Sequence, residues 1–67
     1  MKYYKVADYS QLKTLEVLTM VFTNCDIDNL PRPHATVTKD SCGYCIACLD
    51  ADADIMEKQL KYIYGLE

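Results

Sequence analysis

Three cysteines at strict three-residue spacing, Cys42, Cys45 and Cys48, divide the chain between two incompatible architectures. A CxxCxxC loop gathers thiolates around one metal, because zinc takes four N or S ligands and a CxxC turn delivers two sulfurs. The same residues in an extended strand alternate between faces. Tyr44, Ile46 and Cys48 then point one way, and Cys45, Ala47 and Leu49 the other. Cysteine is among the most commonly buried residues, and both sets look packable. The strand is the leading reading, and it implies no cofactor. The alternative is a structural zinc held by Cys42, Cys45, Cys48 and either Cys25 or His34. An iron–sulfur run needs a further cysteine followed by proline, and Asp52 and Ala53 stand there instead.

Sixty-seven residues suffice for one domain, 1–67, and no more. A chain of this size buries a modest fraction of its surface, so its stability is marginal. The net charge of −3 disfavours direct contact with nucleic-acid phosphates, which needs a basic face. The apolar run from Val17 to Phe22 is too short to span a membrane and is abutted by Glu16. No export signal is visible, so a reducing cytoplasm with free thiols is the expected setting.

The pattern of residues predicts five elements. Lys2-Tyr3-Tyr4-Lys5-Val6 reads as a strand. Asp8 or Ser10 can cap a helix of roughly ten to fifteen residues, with Gln11 placed as a capping box asks. Leu12, Leu15, Leu18, Thr19 and Phe22 form its apolar stripe, and Asn24 ends it in a left-handed conformation. Pro31 and Pro33 enforce an irregular connection. Ala35 to Lys39 and Tyr44 to Leu49 read as a hairpin about the Asp40–Gly43 turn. A second helix over Ile55 to Leu66 has Met56, Leu60 and Ile63 on one side, Asp50 or Asp52 as its cap and Gly65 near its close. The order β-α-β-β-α is the split arrangement of an α+β ferredoxin-like sandwich without its last strand. It places two helices on one face of a three-stranded antiparallel sheet. The first strand becomes an open edge suited to a partner strand or to a homodimer.

Other chemistry is less well supported by the residues. Asp50, Asp52 and Asp54 open like a calcium loop, but Ile55 and Lys61 occupy the positions that need Gly and Glu. Cys42 and Cys45 resemble a redox CxxC in spacing only, because they fall at a hairpin turn rather than a helix start. His34, the single histidine, lacks an evident catalytic partner in sequence. The expected function is therefore non-catalytic: a small acidic interaction module, in the manner of a stoichiometric inhibitor or adaptor. Asp26, Asp28, Asp50, Asp52 and Asp54, with Tyr3 and Tyr4, are the candidate contact residues. Glu57 joins that acidic edge if the central loop lies near the second helix. The expected partner is a protein with a basic or nucleic-acid-binding surface.

Overall fold

The computed structural model describes residues 1–6 and 10–64. Strand β1 (Lys2–Tyr4) is followed by helix α1 (Gln11–Ile27), the hairpin β2 (Ala35–Asp40) and β3 (Gly43–Cys48), a short 3-10 turn (Asp50–Asp52) and helix α2 (Ala53–Tyr64). The sheet order is β1-β3-β2, with both neighbours antiparallel to β3. This is the split arrangement: β1 and β2 run parallel but are separated by β3. The Asp8 cap and the Gly65 stop lie outside the described residues.

β3 is the strand reading of the cysteine cluster. Its register places Tyr4 and Val37 beside Ile46, and Lys2 and Ala35 beside Cys48. Ile46 and Cys48 join Val17, Leu18, Val21 and Cys25 of α1 and Met56 of α2 in one core. Both helices thus lie on the Ile46 side. Cys45 and Ala47 point to the opposite side, which carries no helix. At the hairpin turn Gly43 adopts φ 132°, open to glycine without a Cβ penalty.

α1 departs most from expectation. It runs seventeen residues, through Asn24, and its C-cap is Asp28. The left-handed residue is Asn29, at φ 58°. Leu30 N–H reaches the Cys25 carbonyl at 2.8 Å and Asn29 N–H the Asp26 carbonyl at 3.3 Å, a Schellman closure. At the start, the Ser10 side chain accepts from Lys13 N–H, as a cap should. The buried stripe is Thr14, Val17, Leu18, Val21 and Cys25, rotated from the predicted one. Leu12 and Leu15 stay 70% and 44% exposed. The helix is apolar on two sides, and the sheet selects the side with β-branched and small residues. Thr14 is tolerated inside because its hydroxyl donates to the Ser10 carbonyl at 2.7 Å.

β1 is shorter than the five residues predicted, although Val6 beyond it is buried in the core. In α2 the predicted stripe holds, with Met56 buried and Leu60 and Ile63 packed against the core. Its outward side is charged, with Asp54, Lys58 and Lys61. Asp50 and Asp52 do not spend their carboxylates on capping, because each is engaged elsewhere by a cationic or N–H partner. Among the described residues no helix is long and apolar enough to cross a membrane.

Candidate interaction surface

The cysteines are distributed, not gathered. Cys42 is exposed in the hairpin turn, whereas Cys25, Cys45 and Cys48 are buried. Cys45 and Cys48 face opposite sides of an extended strand, about 10 Å apart along it. Tetrahedral zinc at ~2.3 Å from each sulfur requires them within about 4 Å. His34 is exposed at the entry to β2 with its ring on Asp52, away from the turn that carries Cys42. Among the described residues no group of three or more His, Cys, Asp or Glu side chains is placed to hold a metal ion. Burial is the first cause that pushes the Cys25 and Cys48 thiols above their ordinary range. Such thiols are protected and poorly nucleophilic.

The acidic residues do converge on one end of the domain, where α1 ends and α2 begins. Their charge is largely matched there. Asp26 takes the Arg32 guanidinium, with Nε at 3.0 Å, and Asp50 faces the terminal amine at 3.3 Å. Asp52 accepts the His34 backbone N–H at 2.8 Å and meets His34 Nδ1 at 2.9 Å. The hydrogen bond from Arg32 holds the Asp26 carboxyl below the usual carboxylate range. The His34 backbone N–H does the same for Asp52. Asp28 and Asp54 remain exposed. The long connection from Asp28 to His34 is thereby tied to α1 and to the 3-10 turn ahead of α2, a structural task that the sequence pattern did not disclose.

The two tyrosines separate. Tyr4 is half-buried on the helix side, and its hydroxyl donates to Glu57 Oε2 at 2.8 Å. Burial and then the Glu57 carboxylate raise its pKa. Tyr3 lies on the opposite side and is 61% exposed.

The helix-free face of the sheet is the surface that sequence reasoning missed. Cross-strand pairing puts Tyr3, Ala47 and Thr36 in one row, and Cys45 and Thr38 in the next. Cys45 and Ala47 are only 1% and 4% exposed, floored between larger neighbours. A depression of about 330 Å³ lies between Tyr3, Thr38, Lys39, Asp40 and Cys45. A second, of about 550 Å³, wraps the end of the sheet, from Thr36, Ala47 and Leu49 round to Phe22 of α1 and the Arg32–His34 connection. A solvated sheet face ordinarily alternates to polar residues. Here the central strand has Cys45 and Ala47 on that side, buried beneath their neighbours, and the half-exposed Leu49 follows it. The signal was available in the alternation of β3, which is apolar at every position from Tyr44 to Leu49.

No family model, no curated protein and no solved structure matches the chain.

Proposed function

We propose that the chain is a non-catalytic protein-interaction module of the reducing cytoplasm that docks another protein on the helix-free face of its sheet, without a cofactor. The single observation that carries this reading is the apolar central strand on that face, floored by Cys45 and Ala47 and flanked by the exposed Tyr3. An exposed tyrosine beside such a patch offers contact area at low entropic cost. The net charge of −3 favours a partner whose apolar centre is bordered by basic residues, such as a nucleic-acid-binding protein. Stoichiometric inhibition or bridging is the mode of action that fits a domain of this size. The matched carboxylates at the Asp26 and Asp52 end support a structural task for them in preference to a docking one.

Site-resolved photo-crosslinking tests the proposal. A photoreactive residue replaces Tyr3 in one variant and Tyr62, 78% exposed on α2, in another. Both are expressed in the cells that make the chain. The Tyr3 variant is expected to trap one heterologous protein in a defined adduct that the Tyr62 variant does not trap. Identical adduct patterns from both positions would overturn the reading.

A further inference from the structure

The outward backbone groups of β2 are used by neither the core nor the helix-free face. β2 has six residues, against three in β1, and among the described residues no strand pairs with its outer side. One hydrogen bond sets the phase of its backbone: Leu49 N–H donates to the His34 carbonyl at 3.2 Å. His34 therefore turns its carbonyl inward, toward β3. Along an antiparallel strand inward-bonded and outward-directed residues alternate. Thr36, Thr38 and Asp40 thus bond β3, while Ala35, Val37 and Lys39 aim their N–H and C=O groups away from the sheet.

We propose that this edge pairs with the same edge of a second copy of the chain, antiparallel about a two-fold axis at Val37. In that register Val37 faces its own copy, and Ala35 faces Lys39 of the second copy. Every outward N–H and C=O of the three residues then finds a partner. Sliding by one pleat in either direction leaves an end residue unpaired. The intervening rows place Thr36 opposite Thr38 of the second copy, a favourable cross-strand pair. The segment Thr36-Val37-Thr38 reads the same in both directions, as an isologous contact requires.

The helices agree with this geometry. α1 lies over β3 and β2. Phe22 borders the same depression as Ala35 and Thr36, so its half-buried ring sits on the β2 side of the helix. Leu15, about two turns earlier on that flank, is 44% exposed. Pairing the β2 edges brings this flank against its copy, adding apolar burial to a strand pair that is marginal alone. The result is a continuous antiparallel sheet of both copies with all helices on one side. The inference concerns the edge and stands whatever docks on the helix-free face.

Sedimentation equilibrium and residue-resolved amide exchange over a concentration series test it on the full chain. The expected result is a monomer–dimer equilibrium in which Val37 and Lys39 amides exchange about tenfold more slowly in the concentrated sample. Thr36→Glu with Thr38→Glu sets like charges opposite each other and is expected to raise the dimer Kd about tenfold. Thr36→Lys with Thr38→Glu sets opposite charges there and restores dimerisation. Three results would each overturn the proposal: a monomer at every concentration, a dimer whose Val37 and Lys39 amides exchange at a concentration-independent rate, or equal dimerisation of the two charge variants. The amide readout on the unmodified chain decides the matter even if a charge variant fails to fold.

Discussion

The Tyr4 hydroxyl donates to Glu57 Oε2 at 2.8 Å, joining the edge strand β1 to α2 across 53 positions of sequence. Lys2 approaches the same carboxylate at 3.7 Å. β1 has three residues and pairs on one side only, so this contact and the burial of Val6 add to its ladder with β3 in holding the first strand in place. Tyr4→Phe keeps the ring and removes the donor. The expected loss is about 1 kcal/mol, read from the urea midpoint at constant m-value. An unchanged midpoint would mean that β1 is held by its ladder alone.

Acid should loosen the end of the domain where α1 and α2 meet. Asp26, Asp52 and Glu57 all have carboxyls lowered by hydrogen bonds from Arg32, the His34 backbone N–H and Tyr4 respectively. A lowered folded-state pKa contributes stability above the unfolded value, about 4, and loses it as pH falls through the folded one. Stability should therefore decline below about pH 4. Asp52→Asn is expected to flatten that decline in acid-unfolding curves followed by circular dichroism. A variant curve parallel to the parent would show that Asp52 contributes nothing pH-dependent.

The phase of α1 can be read from two truncations. Val21 is fully buried, so Val21→Ala should cost about 2 kcal/mol. Leu12 is the larger side chain, yet Leu12→Ala should fall within about 0.5 kcal/mol, since most of its surface is already in water. A larger loss at Leu12 than at Val21 would place the helix in the other phase.

Thiol labelling should divide the cysteines one against three. Cys42 is exposed, and Cys25, Cys45 and Cys48 are buried. In native buffer one thiol is expected to react with an aromatic disulfide reagent at the free-thiol rate. The other three should follow only as denaturant opens the fold. Three fast thiols would contradict the packing of β3, and a fold lost in chelator would return zinc to the cysteine cluster.

Asn29 supports the helix end through its left-handed backbone at φ 58°. Asn29→Gly should be neutral or slightly stabilising, whereas Asn29→Val should cost about 1–2 kcal/mol from Cβ crowding. Thermal midpoints of the two variants check this, and equal midpoints would remove the Schellman closure as a stabilising feature.

Element order was legible because local signals agreed. Paired prolines barred a helix between α1 and β2, Gly43 marked the turn, and alternating β-branched residues marked β2. The two-faced packing of β3 was legible too, since every position from Tyr44 to Leu49 suits an interior. The phase and end of α1 were not. Its sequence supports apolar stripes on two sides, and only the sheet beneath selects between them. The length of the helix past Asn24 likewise depends on Leu30 returning to the Cys25 carbonyl.

The acidic residues illustrate the same divide. Their number and net charge are properties of the sequence, but their partners are not. Arg32 on Asp26 and His34 on Asp52 brace the loop between α1 and β2, a task that a count of carboxylates does not show. The sequence by itself determined the α+β order, the strand character of the cysteine cluster and the acidic balance, because these follow from local periodicity and composition. Only the tertiary structure decided which side of α1 is buried, which carboxylates are matched and which face and edge of the sheet stay open. Those outcomes depend on contacts between segments far apart in sequence, and periodicity carries no information about them.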